Sequence, residues 1–302
     1  MMEFLGAILG SIWGGISGFF WTVLNIGQVL NFAEAENVFR FIYYGGSSEL
    51  LAFVLTVAVI VFVIGVFRHS FLWGVVRGIE GISNWIGRAA AWAGLIMVLQ
   101  QIAIIFLQTI FRVSDIGIAP FGVGVTLPLG WYGDGLKLYN ALVVTLCCSY
   151  TFVQKGHVRV DLFYAGWSHG RKRIADMIGT VFFMLPALFL IWFYGWFYLW
   201  RHMITPPVST TDALERMMAR TVAFRWDIQT FAASPSGFNG YFIYKILLVT
   251  FAALMILQAI GFFYRSFLEY REGPEAADKN LDLDVLESHH DDDAPDTHAH
   301  AG

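Results

Sequence analysis

Six long apolar runs, set between linkers that carry most of the charge, limit what this chain of 302 residues can fold into. They cover Phe4–Leu30, Leu50–Phe67, Ala89–Phe111, Leu138–Val153, Ile174–Trp200 and Ile246–Tyr264. A bilayer core demands about 20 apolar residues from a helix, and each run comes near that length, the short ones with help from their flanks. Charged residues bracket them: Glu49 and Arg68 the second, Arg88 and Arg112 the third, Lys137 and Lys155 the fourth, Lys245 and Arg265 the sixth. The first run is uncharged, rich in glycine and interrupted by Ser11, Ser17, Asn25 and Gln28. No Lys or Arg precedes it, so it reads as a membrane helix and not as a signal peptide. Backbone amides in hydrocarbon must bond within their own segment, and these runs lack the alternation of barrel strands. The sequence therefore predicts an all-α, polytopic integral membrane protein with about six transmembrane helices. Charged residues make up 14% of the chain, against roughly 25% in a soluble domain, which excludes a soluble fold.

Sidedness follows from Lys and Arg in the short linkers. Lys155, Arg159, Arg171, Lys172 and Arg173 share one linker with Asp161 as the only acid, so that linker is expected in the cytoplasm. Arg68, Arg77 and Arg88 put the preceding linker on the same side. The stretch from Asn31 to Glu49 sets Arg40 against Glu34, Glu36 and Glu49, and belongs outside with the balanced Arg112–Lys137 loop. The hydrophilic insertion from Arg201 to Gly240 also falls outside; Asp212 and Glu215 mark a short helix start within it.

Between Arg68 and Arg88, Leu72, Val75, Val76, Ile79, Ile82 and Ile86 recur at three- and four-residue spacing, with Arg77, Glu80, Asn84 and Arg88 assigned to the opposite face. That pattern predicts an amphipathic helix lying in the membrane interface. Residues 272–302 carry nine acids, one lysine and four histidines from Gly273 onward, with too little apolar surface to fold. The body of the chain is mildly basic. Four regions result: an N-terminal membrane extension of two helices (1–68), an interfacial helix (69–88), a four-helix unit (89–271) and a disordered acidic tail (272–302).

No phosphate-binding glycine loop, CxxC, HExxH or GxSxG pattern is present. Histidines are absent from the apolar runs, which counts against a haem-bearing anchor. Gln100 and Gln101 lie mid-run, where an amide bonds a neighbouring helix. Asp176 follows Arg171, Lys172 and Arg173 closely enough to pair with them. Cys147 and Cys148 are adjacent, a spacing that disfavours a disulfide, and read as free thiols. A segment of the second run's end, Ile64–Leu72, echoes Ile260–Leu268.

The most informative stretch runs Tyr150-Thr151-Phe152-Val153-Gln154-Lys155-Gly156-His157-Val158-Arg159-Val160-Asp161-Leu162. A helix ends, a Lys-Gly turn follows, then His-Val-Arg-Val-Asp-Leu before a basic cluster and another apolar helix. This resembles the small membrane subunit of tripartite ATP-independent periplasmic (TRAP) transporters, in which a Gly/Ala-His-x-Arg-x-Asp segment joins the second and third helices of a four-helix unit. Leu257-Gln258 in the final run, with Arg265 just beyond it, and Phe111-Arg112 after the third run are similar to further features of that family. The resemblance spans about Arg77 to Arg271.

It implies a small permease subunit that braces a large permease subunit. The large subunit carries an organic anion, a carboxylate in most members, inward with sodium after a periplasmic substrate-binding protein delivers it. It also implies a bacterial inner-membrane location, no enzymatic activity, no cofactor and no nucleic-acid partner. On this reading Gly156, His157, Arg159 and Asp161 fix a turn or dock the large subunit, and the coupling-ion site lies elsewhere. The competing expectation is a membrane-anchor subunit of a redox or other enzyme complex.

Overall fold

Ser47 ends one helix and starts the next. Its hydroxyl donates to the Tyr44 carbonyl at 2.8 Å and accepts from the Leu50 amide at 3.3 Å, so α1 (Ala35–Gly45) gives way directly to α2 (Ser48–Phe67). The computed structural model describes residues 35–118, 125–154, 166–204 and 240–276, together with Phe238 and scattered positions between Gly6 and Gly27. Helix α1 falls in a stretch read from the sequence as an external loop.

Arg68 alone separates α2 from α3 (His69–Thr109). The chain can reverse this tightly because Gly65 has no side chain: a Cβ there would stand 2.7 Å from Leu72 Cδ1. Helix α3 has 41 residues and runs without a break through Arg88, so the expected interfacial helix and the third span are one rod of roughly 60 Å at 1.5 Å per residue. Its buried face also differs from the expected one. Leu72, Val76 and Ile79 are inside as predicted, but so are Glu80 and Asn84, while Ile82 is half exposed.

A two-stranded antiparallel hairpin, β1 (Asp115–Ile118) and β2 (Val125–Pro128), links α3 to α4 (Leu129–Val153) and is the one departure from helix among the described elements. Helix α5 (His169–Gly179) continues through a π turn, Thr180–Met184, into α6 (Leu185–Ile204). The π turn precedes Pro186, which has no N–H to give and whose ring crowds the preceding turn; a wider turn absorbs that misfit without ending the rod. The last helix is α7 (Tyr241–Glu272), closed by Gly273 at φ +88°.

Five helices are long and apolar enough to cross a membrane: α2, α3, α4, the α5–α6 rod and α7. They match the second to sixth runs. Most of the first, Phe4–Leu30, lies outside the described residues, as do the expected short helix after Asp212 and the tail beyond Ala276. Helix α7 is the hub. In its most apolar window 56% of residues are buried, against at most 11% in the other four spans, and it packs on α3, α4, α5 and α6. Gly261 lets Ile79 approach, and Tyr264 donates a 2.7 Å hydrogen bond to the Ala58 carbonyl, which ties α7 to α2. The two echoing segments meet here, with Leu72, Tyr264 and Leu268 in one buried cluster.

The ends of these rods sort into two sets. The start of α3, the start of α5 and the end of α7 meet at one end through Arg265–Glu80 and Arg173–Glu269 ion pairs. At the other end the indoles of Trp192 and Trp196 donate to the carbonyls of Gly45 (2.9 Å) and Ile42 (2.8 Å). Residues 68–88 and the basic cluster at 171–173 therefore share an end, as their positive charge requires. Reporter fusions at Gly170 and Ser236 are expected to read the cytoplasm and the outside respectively; the same side for both would refute the scheme.

Candidate functional site

A helix of alternating burial cannot place a charge inside without giving it partners, and this bundle buries four: Glu80, Arg173, Arg265 and Glu269. The carboxylate of Glu80, one turn after Val76 on α3, meets Arg265 of α7 in a two-pronged pair: Nε to Oε1 at 2.6 Å and Nη2 to Oε2 at 2.7 Å. Both residues are buried. Four residues further along α7, Glu269 lies 3.5 Å from Arg265 Nη1 through Oε1 and 2.6 Å from Arg173 Nη2 through Oε2. Arg173, one turn into α5, reaches Asp176 at 3.2 Å on its own helix. The chain of contacts Glu80–Arg265–Glu269–Arg173–Asp176 thus crosses three helices.

The neighbours are chosen for the same task. Trp73 lies under the Arg265 guanidinium, 5.5 Å from ring centre to Cζ, and its indole donates to Glu272 at 2.9 Å. His69 Nδ1 stands 3.7 Å from that same carboxylate. His169 Nε2 is 3.1 Å from the Glu269 carbonyl oxygen. Two turns deeper along α7, Gln258 Oε1 accepts from buried Ser83 of α3 at 3.1 Å. In a low-dielectric site the planar fork of Arg matches a carboxylate with two parallel bonds, which Lys cannot do. The arrangement is a clamp between helices. The chain of contacts holds three carboxylates and two guanidinium groups.

Sequence reasoning placed part of this. The expected partnership of Asp176 with the basic cluster is made by Arg173. Gln100 bonds its neighbour as expected, donating to the Tyr132 carbonyl of α4 at 2.9 Å. Cys147 and Cys148 are free thiols. Gly156, His157, Arg159 and Asp161 lie outside the described residues, between the end of α4 and the start of α5. Their flanks are at the end of the bundle that holds the clamp. Glu80 was missed as a buried group because polarity, and not angular position, put it on the outer face; at four and eight residues from Val76 and Leu72 it shares their side. No group of three or more metal-ligating side chains converges among the described residues.

No family model matches the chain, and no curated protein or solved structure matches it.

Proposed function

We propose that this chain is the small permease subunit of a sodium-coupled TRAP transporter for organic anions, seated in a bacterial inner membrane, where it braces the large permease subunit. One observation carries the reading beyond the resemblance at Gly156–Asp161: the charged side chains buried between the described spans are engaged with one another. Glu80, Arg265, Glu269 and Arg173 lock three helices. Gln258 and Gln100 lock two more contacts. A transport path keeps polar groups available to a solute, whereas a brace commits them to its own frame. The wide exposed faces of α2, α3 and α4 fit burial by lipid and by a larger membrane partner, with Val59, Val63, Trp92, Leu99 and Val144 among the exposed side chains.

The test is reconstitution. Purified chain in vesicles is expected to move no solute, with uptake appearing when the large subunit, the binding protein and a sodium gradient are supplied together. Sodium-driven uptake by the chain alone refutes the proposal. A redox centre that copurifies with the chain at constant stoichiometry refutes it in favour of an enzyme anchor.

A further inference from the structure

At the end of the bundle opposite the clamp, α1 and α2 lean on α6 and leave two adjoining hollows. One is a cleft of about 620 Å³ whose lining includes Tyr43, Glu49, Trp196, Trp200 and Arg201. The other is a slot of about 340 Å³ between α2, α6 and α7, walled by Leu50, Val54, Trp192, Phe193, Ala253 and Leu257 among others. Ser47 and Phe193 line both, so the slot and the cleft adjoin. We infer that one phospholipid with an ammonium-bearing headgroup occupies this pair of hollows, its phosphate at Arg201, its ammonium toward Glu49 and the Tyr43 ring, and an acyl chain in the slot. The inference does not depend on the transport reading.

Charge and position select this occupant. Glu49 stands in the first turn of α2, and Arg201 stands where the apolar rod of α6 ends. Both line the cleft, so its mouth carries one charge of each sign where two spans leave the hydrocarbon. A zwitterionic headgroup satisfies both, whereas an anionic one satisfies Arg201 and is repelled by Glu49. The exposed ring of Tyr43 provides a negative face suited to an ammonium. Directly beneath, the slot is lined by side chains without charge and runs along the spans, where only a hydrocarbon chain is abundant. Its walls are preformed. Trp192 and Trp196 stack at 5.3 Å between ring centres, and both indole N–H groups are held by carbonyls of α1. A rigid apolar hollow with few polar groups at one end is the usual form of a ligand site. A lipid here would seal the N-terminal extension to the rest of the bundle.

Native mass spectrometry of the full chain in mild detergent tests this, with dioleoyl phosphatidylethanolamine and dioleoyl phosphatidylglycerol titrated separately. One bound phosphatidylethanolamine is expected, retained at least about tenfold more tightly than the glycerol lipid. Arg201→Ala, an exposed side chain whose loss does not threaten the fold, is expected to weaken it by about tenfold, as for loss of a charge-assisted bond. Glu49→Gln should erase the preference between the two lipids. Ala253→Phe and Val54→Phe fill the slot from opposite walls and should abolish the bound lipid in variants that still elute as the wild type does. Equal retention of both lipids by the wild type overturns the inference, as does retention unchanged by Arg201→Ala or by a filled slot.

Discussion

Arg265→Leu is expected to destabilise the protein by about 3–5 kcal/mol, the cost of leaving a buried carboxylate without its partner. Glu80 would lose both prongs of its pair, and Glu269 would keep Arg173 alone. Glu80→Leu alone should also destabilise, since it leaves the guanidinium over Trp73 with only the 3.5 Å contact to Glu269. The pair Glu80→Leu with Arg265→Met removes both charges, fills a similar volume and should recover most of the loss, because buried ion pairs contribute little beyond an apolar replacement. Thermal unfolding in detergent, with steady-state abundance in the membrane as a second readout, gives the coupling. Strictly additive losses in the double variant would show that the two side chains are not partners.

Gly87→Leu is the second large effect. A Cβ at Gly87 would stand 2.4 Å from Tyr150 Cβ and 2.8 Å from its Cγ, at the crossing of α3 and α4, where the Cys147 thiol also reaches the Gly87 carbonyl at 3.4 Å. Backbone must move for any side chain to fit, and overpacking of that kind costs about 1–3 kcal/mol or more. Even Gly87→Ala should lower the melting temperature. Gly78 on the same helix is the control: nothing lies within 4 Å of its Cβ position, so Gly78→Ala should gain about 0.5–1 kcal/mol from helix propensity. Equal effects of alanine at the two positions would contradict the packing of α3 on α4.

The membrane segments were legible because hydropathy measures what a bilayer demands. Two span ends, at Phe67 and Val153, coincide with helix ends, since a charged or turn-forming residue follows each. The other boundaries were drawn short, except at Phe111, which lies just past the end of α3. Helix α4 begins at Leu129 and not at Leu138, although Gly130, Gly133 and Gly135 weaken the pattern there; the Gln100 bond to Tyr132 and the Asp134–Lys137 pair at 2.8 Å hold that first stretch. Hydropathy marks hydrocarbon, whereas helices go on past it. Continuity of α3 through Arg88 was hidden for the same reason, because a charge marks the edge of an apolar run and says nothing about the backbone. The clamp was half visible. Arg173 and Asp176 are three apart on one helix and can be paired by counting, but Glu80 and Arg265 are 185 residues apart, and only their shared burial declares them. Helix α1 was missed because its stretch was read for charge, Arg40 against Glu34, Glu36 and Glu49, although Val38, Phe41 and Ile42 recur at helical spacing.

The hub is also the helix that leaves the ribosome after all the other spans described. Glu80 emerges 185 residues before Arg265, which at about 5–20 residues per second is an interval of roughly ten to forty seconds. Throughout it, Glu80 is in or near the bilayer without Arg265, and Arg173, once made, has Asp176 but not Glu269. Insertion of α7 then closes the chain of charges in one step. A nascent chain that stalls or is cut before Tyr241 is therefore expected to hold the Glu80 carboxylate in or near the bilayer with no Arg265 to meet it.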